Sequence, residues 1–250
     1  MNGASKMDQN TQPNPQQKQA KQNRAGIIAA SIIAGLVIIC GVIFLILEMT
    51  KPSASQAMAT AKNAKVDSLR AHIMVKSDDL KDNTAIEFTN HVVHSNVILK
   101  ADDESKKLST WITKDKAYMS SNNGKWYYSD SDDDDFSEAH DEGKESTDLK
   151  QFLDLPASAT NLFKVSLDGI KGYTLTYSGN NKKIRDTVIS DAKNVNITIH
   201  LDRNKHLRDL NATARLKDGG SASISIYDVN NVKNLTIPNK VKKDAQEYEE

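Results

Sequence analysis

The chain has 250 residues with 33 basic and 33 acidic side chains, so its formal net charge at neutral pH is zero, and 38% of its residues are hydrophobic. That balance argues against a nucleic-acid-binding chain, which would carry a basic excess. The single cysteine excludes a disulfide framework within one chain, so a folded domain must be stabilised by its own core.

Residues 1–24 are rich in Gln, Asn, Lys and Pro and offer almost nothing to bury, which predicts a disordered tail. From Gly26 to Leu47 the chain runs 22 residues without a charge. As a helix this stretch is roughly 33 Å long, enough to cross a hydrocarbon core. The sequence therefore predicts a transmembrane helix over 25–48. A cleaved signal peptide fits less well, because the apolar stretch is about twice a usual h-region and no small-x-small site follows closely. Cys40 follows Val37-Ile38-Ile39 without the small residue expected before a lipidated cysteine, and reads as a lipid-facing or packing residue.

Lys6, Lys18, Lys21 and Arg24 against a lone Asp8 give the tail +3 and leave the rest of the chain at −3. This bias places the tail in the cytoplasm and the remainder outside, as a single-pass protein of the cell membrane. After a linker over 49–55, residues 56–245 have the length of one globular domain, with 246–250 as a C-terminal tail.

Within that domain alternation with period two dominates. It is cleanest at Val195, Ile197, Ile199 and Leu201 against Asn194, Asn196, Thr198 and His200. The same pattern appears at Leu69 to Val75, Val93 to Leu99, Tyr173 to Tyr177 and Ala222 to Ile226. Further strands are expected near Ala85 to Thr89, Lys107 to Thr113, Lys116 to Ser120, Lys125 to Ser129 and Leu210 to Leu216, which makes about ten. Asn122-Asn123-Gly124 and Asp218-Gly219-Gly220 mark hairpin turns, so sequential antiparallel pairing is the expected topology. Helical periodicity is confined to Ala54 to Ala64, Asp148 to Leu155 and Lys182 to Ala192. The fold class is thus mainly β with a few helices. So many one-sided strands present more greasy surface than three short helices can cover in a flat arrangement, which predicts a strongly curved antiparallel half-barrel sheet wrapped around short helices.

Candidate sites are few. The acidic run from Asp130 to Glu145, within a loop over 129–146, lacks the spacing of a calcium loop and reads as solvated. His91 and His94 border a strand, where a spacing of three sends side chains to opposite faces, so no metal site is expected. Ser-His-Asp constellations, phosphate loops and paired cysteines are not evident, so neither an enzyme nor a cofactor is expected. Trp111, Trp126, Tyr127, Tyr128, Tyr173 and Tyr177 supply aromatic surface. Trp126, Tyr173, Tyr177, Ile197 and Ile199 are the candidate ligand-binding residues for an apolar interior.

Three stretches carry a family likeness: Ala57-Met58-Ala59-Thr60-Ala61 leading to Leu69-Arg70-Ala71-His72-Ile73-Met74; Ala117-Tyr118-Met119 followed by Asn123-Gly124-Lys125-Trp126-Tyr127; and Ser225-Ile226-Tyr227-Asp228 through Leu235-Thr236-Ile237-Pro238-Asn239-Lys240-Val241. In these the chain resembles the LolA and LppX superfamily of bacterial extracytoplasmic lipoprotein carriers, especially Gram-positive members. The resemblance implies a half-barrel with helices in its concave face, and several members bind acyl chains there. This chain departs from most relatives in having a membrane span in place of a lipidated cysteine, which fits a tethered domain better than a free carrier. Two functions follow: a membrane-tethered binding domain for a lipid or other hydrophobic ligand at the bacterial cell surface, or a structural or protein-interaction domain with a packed core. Nucleic acid is not an expected partner.

The topology has a direct check. Protease added to intact, wall-stripped cells is expected to digest residues beyond the span, and full protection of the domain in sealed cells would reverse the assignment.

Overall fold

Strand β1 (Ser68–Lys76) sits in the middle of the sheet although it is the first strand in the chain. A computed structural model describes residues 50–101, 104–130 and 153–248, and those from Lys51 onward belong to one compact unit. From β1 the chain meanders outward through β2 (Leu80–Thr89), β3 (Val92–Ala101), β4 (Glu104–Thr113), β5 (Lys116–Ser120) and β6 (Trp126–Asp130). A second meander, β7 (Lys164–Leu167), β8 (Tyr173–Gly179), β9 (Ala192–Leu201), β10 (Leu207–Leu216) and β11 (Ser221–Tyr227), runs inward to β1. The two halves join where β11 pairs antiparallel with β1, from Arg70 opposite Tyr227 to Lys76 opposite Ser221. The last strand, β12 (Gln246–Glu247), adds to β6 in parallel, so the 12-stranded sheet is otherwise antiparallel.

Helix α1 (Ala54–Asn63) starts at a reciprocal cap, with Ser53 Oγ accepting from Gln56 N and Gln56 Oε1 accepting from Ser53 N. Its buried stripe of Ala54, Ala57, Met58 and Ala61 has the i, i+3, i+4, i+7 spacing of one helix face. Short helices α2 (Ala157–Thr160) and α3 (Lys182–Val188) add Ala159 and Ile184 to the same core, and α4 (Asn239–Asp244) follows β11. Against α1, α2 and α3 lies one face of the sheet, the inner face: Leu69, Ala71 and Ile86 in the first half, and Leu175, Val195, Ile197, Ile199, Leu201, Leu210, Ala212, Ile224 and Ile226 in the second. Burying an aliphatic side chain of this size contributes about 1.5–3 kcal/mol, which makes this layer the main stabilising term.

All ten expected strands are present. The two that were not expected, β7 and β12, have four and two residues. Helix α3 ends at Val188, because Ile189 is extended and Ala192 already belongs to β9. The expected helix at Asp148 to Leu155 lies mostly outside the described residues, as do the span, the tail before it and most of the acidic loop. No helix among the described residues is long and apolar enough to cross a membrane.

One expectation is corrected. The sheet is open, with β7 and β12 as its outermost strands, and it is not strongly curled. Its greasy surface is accommodated differently: helices cover the inner face chiefly around β1 and β8–β11, while Leu80 on β2, Leu99 on β3 and Leu108 on β4 are 37–39% exposed.

Strand β9 tests the assignment of faces. Ile197 is 3% exposed, whereas Thr198 is half-buried on the other side. Ile197→Asp places a charge in an apolar layer and is expected to cost several kcal/mol, comparable to the stability of a typical domain. Thr198→Asp is expected to cost only about 0.5 kcal/mol. Denaturant midpoints of the two variants measure the difference, and equal losses would contradict the one-sided core at β9.

Candidate functional site

Residues directly opposite one another in a sheet point to the same side, so the register fixes which side chains share the outer face. One cross-strand row reads Thr213, Ser223, Met74, Asn83, Ile98, and the next reads Ser221, Lys76, Lys81, Lys100. These residues line a groove of about 560 Å³ on that face. The sequence explains the depression: β10 and β11 place Thr213, Ser221 and Ser223 beside the long side chains of Met74, Lys76, Lys81 and Lys100, so the surface drops where the serines begin. Met74 is 46% exposed and forms the apolar part with Ile98. The turn after β10 closes tightly on this end of β1. A Cβ on Gly220 would clash with the backbone carbonyl of Lys76, so only glycine permits the approach.

The expected ligand-binding residues do not gather here, and they do not all gather together. Tyr173, Tyr177, Ile197 and Ile199 are adjacent in the inner-face core, each no more than 8% exposed. The Tyr177 hydroxyl accepts from Asn181 N at 2.8 Å, and its ring packs on Phe163 at 5.3 Å, which commits both ends to the fold. Trp126 lies on the opposite face. Its register partners run through Ser120, Ser109, Asn96, Ala85, His72, Ser225 and Asn211 to Thr198, the polar neighbour of Ile197.

Trp126 belongs to a second cluster built on buried Trp111 and Tyr118, under Ile237 and Val241 of the C-terminal segment. That segment leaves β11 through Asp228, Asn230 and Asn234, all with positive φ, a region these two residue types tolerate. Hydrogen bonds from Asn230 N to Ser68 O and from Val232 N to Ser68 Oγ tie its start to β1. The Trp111 ring stacks on His94 at 3.8 Å. His94 Nδ1 lies 3.4 Å from Glu87 Oε2, and Asn96 Nδ2 lies 3.0 Å from His94 Nε2. Those contacts suit a neutral ring that donates at one nitrogen and accepts at the other. Among the described residues no group of three His, Cys, Asp or Glu is placed to hold a metal ion.

Sequence reading missed the groove because it followed the greasy side of each strand. The signal was present: a hairpin turning at Ser77 to Asp79 sets Lys76 opposite Lys81, and the next hairpin sets Lys81 opposite Lys100.

Comparison with known proteins gives a family and little more. Residues 49–198 match the model of a family of unknown function, DUF6612, and the chain belongs to that family. No curated protein matches the sequence. Among solved structures the chain is similar to the lipoprotein LppX of Mycobacterium tuberculosis, at 15% identity and a TM-score of 0.38, over 75% of this chain and 100% of that one.

The Glu87–His94 pair makes stability depend on pH. Burial holds His94 below its ordinary value of 6.5, against the opposing pull of Glu87. Burial alone would raise Glu87, but hydrogen bonds from Arg70 and His94 prevail and hold its carboxyl below the usual range. Both depressed values mean that the unfolded chain takes up protons first on acidification. Stability is therefore full at neutral pH, falls below the ordinary histidine value, and falls again as Glu87 protonates. Melting temperatures between about pH 7.5 and 5 should show the first fall, and His94→Gln should flatten it. An unchanged profile would mean that His94 titrates as an exposed histidine.

Proposed function

We propose that this member of DUF6612 is a membrane-tethered extracytoplasmic domain that binds a lipid or other hydrophobic ligand at the bacterial cell surface. The observation that carries the binding half is the outer-face groove. Its volume of about 560 Å³ lies within the roughly 300–1,000 Å³ of small-ligand sites, and exposed Met74, with Ile98 on the far side of Asn83, gives it apolar surface. The tether rests on the uncharged stretch from Gly26 to Leu47, and the orientation on the basic tail before it. We also place the fold in the LolA and LppX superfamily. Its quoted motifs fall on α1 and β1, on the paired strands β5 and β6, and on β11 with the segment that follows it.

A second reading has its own support. Tyr173, Tyr177, Ile197 and Ile199 are packed into the core, which fits a structural or protein-interaction domain. Under the reading we prefer, that core is scaffold and the ligand lies on the other face.

A photoactivatable, clickable fatty acid fed to cells that make the full chain separates the two. Adducts on peptides from β1, β2, β3 or β11 are expected. Adducts confined to residues 26–47, or absent altogether, would leave the interaction-domain reading.

A further inference from the structure

We propose that the outer-face groove takes an amphiphile with a phosphomonoester headgroup, whose charge is met by Lys76, Lys81 and Lys100 while its apolar part lies along Met74 and Ile98. This rests on the reading of the groove as a ligand site.

The observation is a like-charge row. Lys76 is directly opposite Lys81, and Lys81 directly opposite Lys100, on three neighbouring strands and on one face. Strands lie about 4.8 Å apart, so three ammonium-bearing stems rise from a line about 10 Å long. Like charges set directly opposite one another destabilise a sheet. Among the described residues no carboxylate relieves them: Asp78 and Asp79 in the adjoining turn form no ion pair with any of the three, and the Asp82 carboxylate accepts from Thr84 Oγ1. Arg215, opposite Ser221, continues the row with a fourth positive charge. A row of unpaired cations costs stability unless an anion neutralises it.

The neighbouring chemistry narrows the anion. Two residues along each strand, about 7 Å away, the row changes to Ser223, Met74, Asn83 and Ile98, so that two apolar side chains stand on either side of one asparagine. A free anion gains nothing from that apolar strip, whereas an acyl or prenyl chain does. A carboxylate headgroup brings one charge and two oxygens, which leaves most of the row unmatched. A phosphomonoester presents three free oxygens and up to two charges, which a phosphodiester does not, and lysine binds phosphate as a point charge. Gly220 packed against the Lys76 carbonyl fixes one end of the row, so that part of the site is formed before a ligand arrives.

The test uses the full chain in phosphatidylcholine nanodiscs, titrated calorimetrically with dihexanoyl phosphatidic acid, with inorganic phosphate and with dihexanoyl phosphatidylcholine as separate arms. Wild type is expected to bind the phosphatidic acid in preference to both other probes and to weaken as salt rises. Lys81→Gln and Lys100→Gln should each weaken that binding about tenfold, a loss readable in a single titration. Both variants should also melt no lower than wild type without ligand, since each removes repulsion. Equal binding of inorganic phosphate would reduce the groove to a bare anion site and overturn the proposal. Tight binding of phosphatidylcholine, unaffected by the lysine variants, would overturn the headgroup assignment while leaving the hydrophobic-ligand reading intact. Failure of both lipids to bind would overturn both.

Discussion

The pairing of β1 with β11 is the constraint on which the rest of the structure depends. It brings residues 70–76 against 221–227, some 150 positions apart in the chain, and it converts two separate meanders into one sheet. Closing so long a loop is slow and entropically costly, and the return comes only when the joined inner face is covered. At that junction Ala71 and Ile73 face Ile226 and Ile224, so the seam is apolar on the side where the helices pack. The same seven-residue register sets Met74 beside Ser223 and Lys76 beside Ser221 on the other side. Core and groove are therefore two faces of one pairing, and a slip of one residue would exchange them.

Covering the second face is where this chain departs from a simple one-sided sheet. Trp111, Tyr118, Trp126 and Tyr128 form an aromatic strip on the outer face of β4–β6, which would be an exposed patch without the segment after β11. The chain supplies that cover itself: three left-handed Asp and Asn residues redirect it, Ile237 and Val241 seat on the rings, and β12 ends beside β6. Arg70 links the two regions, with Nε on Glu87 and Nη1 on Asp228. Each of these ion pairs is more than a third exposed on one side and adds modest stability; their use is to fix where the segment leaves the sheet.

How legible this was in the sequence depended on whether a feature was local. Alternation over Val195 to Leu201 identified β9 and its buried face correctly, because period two is a property of the strand alone. Turn residues located the hairpins at Asn122-Asn123-Gly124 and Asp218-Gly219-Gly220 for the same reason, since Gly124 and Gly219 supply positive φ. What was not legible was relational. Trp126 looked like a partner of Tyr173 and Tyr177, but its face is set by a register running through eight intervening strands, and it falls on the opposite side. Strong curling was inferred from the amount of greasy surface, yet the count could not show that a C-terminal segment would cover part of the second face or that Leu99 and Leu108 would stay partly exposed.

The distribution of packing also bears on which face is free to work. A core in which Leu175, Val195, Ile184 and Leu201 are fully buried gains little from admitting a ligand, because opening it gives up contacts already made at near-crystalline density. The outer face beside β1 carries the opposite balance: short side chains on β10 and β11, an exposed methionine and a row of cations without partners among the described residues. A ligand bound there, as proposed, would relieve repulsion and cover apolar surface. The two faces beside β1 thus differ in what they leave unsatisfied: the inner layer under α1–α3 is fully packed, and the outer surface leaves a methionine and a row of lysines to solvent.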